Sequence, residues 1–176
     1  HVTFFFDGAN EGKIDKCDKY LVETDENISY VKKPEMNAVD VTKKIISCMQ
    51  KDYDFILANF ANPDIVGHTG DWNASVKACI TVDICLGKIL EVAEDNFYKI
   101  IILGDHGNVD IMYDEDKNPV STHTLSKVPF IITDNRVKLK EDGSLVNVAP
   151  TILEYMDIAV PKEMGDSSSL ISGYNE

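Results

Sequence analysis

Short apolar runs alternate with helix-length amphipathic stretches along these 176 residues, and that alternation constrains the fold more than any other feature. Val2–Phe6 (VTFFF), Phe55–Phe60 (FILANF), Lys99–Leu103 (KIIIL) and Val128–Thr133 (VPFIIT) each read as a strand of a buried sheet. A further short strand is expected near Tyr20–Glu23. Between the runs, Met36, Val39, Val41, Ile45, Ile46 and Met49 line one side of a helix from Pro34 to about Gln50. Trp72, Val76, Cys79, Ile80, Leu86, Ile89, Leu90 and Ala93 recur at three- and four-residue steps, predicting a long helix over Asp71–Ala93. A final helix is expected at about Asn147–Met156. Strands that alternate with helices predict an α/β sandwich, a largely parallel central sheet flanked by helices. Ligands of such sheets bind beyond the carboxyl ends of the strands. The polar stretch from Gly8 to about Lys33 reads as irregular, and the tail from Ser167 to Glu176 as poorly ordered.

The length is that of a single domain with one substantial core, and residues 1–176 are read as one. No apolar run approaches the roughly 20 residues of a membrane span, so neither a membrane nor a membrane partner is expected. The start, His-Val-Thr-Phe-Phe-Phe, has neither an initiator Met nor a signal-peptide pattern and reads as the start of a fragment. Seventeen basic against thirty acidic residues leave a formal charge of −13, and Arg136 is the sole arginine. Nucleic-acid binding needs a basic face that displaces counterions, so it is excluded as a function class. Even a small phosphate ester would find no guanidinium fork beyond Arg136, so the positive charge must come from metal ions, from arginines outside the chain, or from both. Cys17, Cys48, Cys79 and Cys85 include no C-x-x-C pair and read as free thiols of a reducing cytoplasm.

Three of the four histidines lie in short acid-containing or hydroxyl-containing motifs: Asp64-Ile65-Val66-Gly67-His68, Asp105-His106-Gly107 and Thr122-His123-Thr124. Asp and His supply the oxygen and nitrogen ligands that ions such as Mn²⁺ and Zn²⁺ accept. Asp64 and His68 are four apart, so one helical turn presents both on one face, either as a chelate or as a surface ion pair. Asp105 and His106 end a strand, where a turn through Gly107 and Asn108 can aim both at metal, or simply cap a loop. His123 is either a third ligand or a loop histidine. All three motifs follow or lie between strands and can converge on one sheet edge. The acidic run Asp110, Asp114, Glu115 and Asp116 reads as a solvated loop. There is no P-loop, no G-x-G-x-x-G and no G-x-S-x-G, and no serine stands out as a nucleophile.

Several strings together resemble one family. Asn59-Phe60-Ala61-Asn62-Pro63-Asp64-Ile65-Val66-Gly67-His68-Thr69-Gly70 is similar, at all but one position, to the NFANPDMVGHTG motif of cofactor-independent phosphoglycerate mutases. Pro34-Glu35-Met36-Asn37-Ala38 resembles their PEMSA segment, and Gly104-Asp105-His106-Gly107-Asn108 their ADHGN motif. Thr122-His123-Thr124 with Val128-Pro129-Phe130 resembles HT…VPF, and Ala149-Pro150-Thr151-Ile152-Leu153 with Glu163-Met164 their APTIL and P-x-EM patterns. The resemblance departs from the family at Asp7-Gly8-Ala9, at Ser29-Tyr30-Val31 and over Glu11–Asn27.

The resemblance implies an alkaline-phosphatase-like α/β fold with two divalent ions, Mn²⁺ favoured. Asp64, His68 and His123 would hold one ion and Asp105 with His106 would help hold the other. It further implies that 3-phosphoglycerate and 2-phosphoglycerate are interconverted through a phosphoserine in glycolysis, in a monomeric cytoplasmic enzyme whose partner is that small substrate. The nucleophilic serine, an N-terminal Asp ligand and the phosphotransferase domain of the family have no counterpart here. The chain then corresponds to the C-terminal part of the phosphatase domain, carries no catalytic nucleophile and is expected to be inactive alone. Two other readings stand beside it: another phosphomutase or phosphoesterase of the alkaline-phosphatase superfamily, and a non-catalytic metal-binding module.

Overall fold

The computed structural model describes residues 2, 8, 14–24, 27–165 and 168–175. The expected strand Val2–Phe6 lies outside the described residues apart from Val2. The chain forms two compact units, one of residues 1–98 and 106–127, the other of residues 99–105 and 128–176.

Among the described residues, the first unit is built on three helices: α1 (Ala38–Met49), α2 (Asn62–Gly67) and α3 (Trp72–Asp95). The apolar spacing predicted α1 and α3 within a few residues at each end. Pro34 to Asn37 precede α1 as turns, because the backbone after Pro34 is held by another element: the buried Asn62 amide donates to the Pro34 and Glu35 carbonyls at 3.0 and 2.6 Å. Pro63 sits in the first turn of α2, where a missing N–H is harmless. Asp71 caps α3, its carboxylate accepting from the Ala74 N–H at 2.8 Å. Helices α1 and α2 both pack on α3. Val66 of α2 and Ala74 and Ala78 of α3 are fully or almost fully buried, with Tyr30 and Met36 packed against them. The small alanines let the short helix α2 approach α3 closely, and α2 carries the Asp64 motif.

Phe55–Phe60 and Tyr20–Glu23, both expected as strands, form no ladder among the described residues. Apolar character alone does not make a strand; a neighbouring backbone must supply hydrogen bonds. Phe55 and Leu57 are exposed, with the Tyr98 hydroxyl donating to the Tyr53 carbonyl just upstream.

The second unit contains strands β1 (Ile101–Leu103) and β2 (Phe130–Ile132), paired antiparallel with Ile102 opposite Ile131. Hydrogen bonds from Gly104 N–H to Pro129 and from Thr133 N–H to Ile100 extend this ladder at both ends. The alternation pattern predicted parallel neighbours, yet both ladders among the described residues are antiparallel. Residues 104–129 contain no helix, and parallel neighbours need such a crossover. Strands β3 (Val137–Leu139) and β4 (Ile171–Tyr174) form the second ladder. The expected disordered tail is therefore corrected over β4: Leu170 and Ile171 are buried, and their burial supplies what the polar flanks lack. A short 3-10 turn, Leu145–Asn147, leads into α4 (Val148–Tyr155). The four cysteines are free thiols, Cys48 and Cys85 buried and Cys17 exposed.

Candidate metal centre

Three of the predicted ligand residues meet in the first unit. Asp64, in the first turn of α2, and His68, its C-cap, are brought to one side by a single helical turn. His68 Nε2 lies 3.2 Å from Asp64 Oδ1, His123 Nε2 lies 3.1 Å from the same oxygen, and the two Nε2 atoms are 3.2 Å apart. His123 arrives from residues 106–127, where an antiparallel bridge pairs Gly107 with Thr124, the Thr124 N–H bonding the Gly107 carbonyl at 2.9 Å. A side chain at Gly107 would place its first carbon 2.1 Å from Thr124 Oγ1, so only glycine permits this approach. The bridge also sets His106 against His123, their rings stacked with centroids 3.7 Å apart. His106 Nε2 is 3.9 Å from Asp64 Oδ1, beside the triad and outside its closest contacts. Asp105, the remaining predicted ligand, belongs to the second unit, where it is exposed just beyond β1.

The tautomer of His68 follows from its neighbour. His68 Nδ1 lies 2.6 Å from the Ser121 carbonyl oxygen, which can only accept, so Nδ1 carries the proton. In the neutral ring that leaves a lone pair on Nε2, aimed at Asp64. A carboxylate oxygen and a bare imidazole nitrogen repel at this distance unless a proton or a cation stands between them. Ligands about 2.0–2.1 Å from a shared ion are roughly 2.8–3.4 Å from one another, octahedral at the short end and tetrahedral at the long. The three observed separations fall in that range, so the donor set fits a divalent ion. The side chains are partly open to solvent, which leaves room for further ligands.

Two residues that the sequence reading gave other roles, Asn108 in a turn and Asp110 in a solvated loop, support this arrangement. Asn108, buried, donates from Nδ2 to Asp64 Oδ1 at 2.7 Å. Asp110, assigned to a solvated acidic loop, accepts from the Thr124 hydroxyl at 2.9 and 3.0 Å and so holds the segment that bears His123. Hydrogen bonds from Ser126, then from Thr124, hold its carboxyl below the ordinary range. Asp114 instead closes its own turn, accepting from the Asn118 backbone and amide. The sole arginine is committed elsewhere: within the second unit Arg136 forms a fork with the buried Asp134, at 2.9 and 2.7 Å. It is not a spare guanidinium for a phosphate.

Residues 1–160 match the model of the metalloenzyme superfamily, and the chain belongs to that superfamily. Within it, the chain is similar to proteins named 2,3-bisphosphoglycerate-independent phosphoglycerate mutase. It is 44% identical over 170 residues to that of Parabacteroides distasonis and 44% identical over 167 residues to that of Mycoplasma mobile. These matches take in 96% and 95% of the chain but 34% and 32% of the relatives, so the chain spans about a third of their length. A crystal structure of Leishmania mexicana phosphoglycerate mutase, solved at low cobalt concentration, matches 98% of the chain with a TM-score of 0.86 at 31% identity, and 35% of that protein is covered. The α/β fold expected from the sequence is thus the fold of this superfamily. No helix among the described residues is long and apolar enough to cross a membrane.

Proposed function

We propose that the protein carrying this chain is a metal-dependent phosphoglycerate mutase that interconverts 3-phosphoglycerate and 2-phosphoglycerate through a phosphoserine. The convergence of Asp64, His68 and His123 within 3.2 Å, with His68 Nδ1 turned to the Ser121 carbonyl and Nε2 toward Asp64, is the observation that carries this reading. The similarity over nearly the whole chain to mutases supports it.

In this reading Asp64, His68 and His123 hold one divalent ion, and Asp105 and His106 help hold a second, with Mn²⁺ favoured for both. When bound, such ions supply the positive charge that lowers a hydroxyl nucleophile's pKa and offsets charge on a transferring phosphoryl group. The chain's own contribution is to fix the donors: the Ser121 carbonyl sets the His68 tautomer, and the Gly107–Thr124 bridge sets the approach of His123. No serine of this chain is assigned as the nucleophile; that residue, and the arginines that grip the substrate, belong to the part of the mutase beyond this third. The working enzyme is taken to be monomeric and cytoplasmic, with a small phosphoglycerate as its partner.

The test is an enolase-coupled mutase assay on the intact protein, stripped of metal and then given Mn²⁺. Activity that returns with Mn²⁺ and is lost in His68→Ala supports the reading. Hydrolysis of simple phosphate esters without mutase activity would replace it with a phosphoesterase of the same superfamily.

A further inference from the structure

We infer that Asn108 is a positioning residue for the metal site, holding the Asp64 carboxylate in its ligating orientation, and that Gly67 is a glycine so that Asn108 can reach it. The inference rests on the reading of Asp64, His68 and His123 as metal ligands.

Three observations carry it. Asn108 is buried, and its Nδ2 donates to Asp64 Oδ1 at 2.7 Å and, at 3.3 Å, to the Asp64 carbonyl, so one amide grips both the side chain and the backbone of that residue. The opposite end of the amide, Oδ1, is buried without a hydrogen-bond partner. Turning the amide over would set that oxygen against the carboxylate, acceptor against acceptor, so the orphaned oxygen is the consequence of keeping the donor on Asp64. Finally, a side chain on Gly67 would put its first carbon 2.3 Å from Asn108 Oδ1 and 2.8 Å from Val109 Cγ1. Gly67 lies in α2, where a glycine otherwise weakens the helix. Its place there is explained by the approach of Asn108.

Carboxylate ligands commonly depend on such outer hydrogen bonds, whose loss lowers metal affinity about 10- to 100-fold. Without Asn108 the Asp64 carboxylate is free to rotate away from the two imidazoles, and a bound ion would have to pay for its ordering.

The test is a calorimetric Mn²⁺ titration of the intact, metal-stripped protein, comparing the unaltered protein with Asn108→Ala, Asn108→Asp and Gly67→Ala. The visible absorption of the same proteins loaded with Co²⁺ is recorded as a reporter of ligand geometry. Asn108→Ala and Gly67→Ala are expected to bind Mn²⁺ about 10- to 100-fold more weakly, with an altered Co²⁺ spectrum and unchanged helix content. Asn108→Asp, the same shape without a donor, is expected to bind no better than Asn108→Ala. Gly67→Ala removes no ligand and no hydrogen-bonding group but crowds the Asn108 amide, and alanine favours the helix, so weaker binding there separates positioning from folding. Variants that bind as tightly as the unaltered protein with the same spectrum overturn the inference and leave the ligand assignment standing. Failure of the unaltered protein to bind Mn²⁺ overturns the ligand assignment and the inference together.

Discussion

His68 reaches the Ser121 carbonyl oxygen through Nδ1, at 2.6 Å, and this bond decides what the opposite nitrogen can do. A carbonyl cannot donate, so Nδ1 carries a proton, and in the neutral ring Nε2 faces Asp64 and His123 with its lone pair. A histidine fixed in this way is built to ligate rather than to shuttle protons. The expected outcome is that His68→Ala weakens Mn²⁺ binding at this site by more than the roughly 10- to 100-fold that loss of a supporting hydrogen bond brings. Asp105→Ala, directed at the other proposed ion, should leave that binding event in place. Calorimetry of the two variants side by side checks both, and equal losses would show that the five ligands form one inseparable site.

Thr151, in the string Ala149-Pro150-Thr151-Ile152-Leu153, is fully buried. Its hydroxyl donates to the Asn147 carbonyl at 2.6 Å and accepts the Leu170 N–H at 2.8 Å, so it ties α4 to the residue that enters β4. Thr151→Val keeps the volume but strands the Leu170 N–H. A destabilisation of about 1–3 kcal/mol is expected, the usual cost of an unpaired buried donor. Denaturant titration of the pair would measure it; a neutral substitution would mean that Leu170 finds another partner.

What the sequence made legible divides along a physical line. Elements held by their own periodicity were readable: α1 and α3 show their apolar spacing. Elements that depend on a distant neighbour were not. Phe55–Phe60 has the composition of a strand but no ladder among the described residues, and β4 was lost in a polar tail because its pairing with β3 bridges more than thirty residues. The site shows the same division. Asp64 and His68 share a helical turn and could be paired from spacing. His123, fifty-five residues from His68, was joined to them by likeness to a family and by geometry, never by spacing. Asn108 stood inside the quoted Gly104–Asn108 string, where its role as a donor had no local signature. Asp110 looked like one more solvated charge because the threonine it holds is fourteen residues away.

Asp134 and Tyr155 give the second unit a measurable response to pH. The Arg136 guanidinium, and after it the Tyr155 hydroxyl, hold the Asp134 carboxyl well below the usual carboxylate range. This carboxyl is depressed on folding, so its contribution is present above the unfolded value of about 4 and is lost as pH falls below that. Burial first, and the Asp134 carboxylate second, push Tyr155 up to about 12. For a group raised on folding the sign reverses: its contribution is whole below the unfolded value of about 10 and is lost as pH rises toward 12. Thermal midpoints should therefore fall at both ends. Tyr155→Phe should blunt the alkaline loss, and ultraviolet titration should show one tyrosine fewer ionising late. A tyrosine that ionises with the exposed ones would contradict the Asp134 contact.

The proposed division of labour between this chain and the rest of the proposed mutase makes its own prediction. Asp64, His68 and His123 all lie in one compact unit, so the first ion's donors need nothing from beyond the chain to stand 3.1–3.2 Å apart. Phosphoryl transfer by a covalent route, in contrast, needs a nucleophile, and no serine here is assigned that role. The 176-residue chain alone is therefore expected to bind one Mn²⁺ at the triad and to show no mutase turnover in the enolase-coupled assay. Adding the rest of the protein as a separate polypeptide should restore turnover only if the two parts assemble. Turnover by the chain alone, above the rate of a His68→Ala control, would mean that one of its own serines takes the phosphoryl group and that the proposed division is wrong.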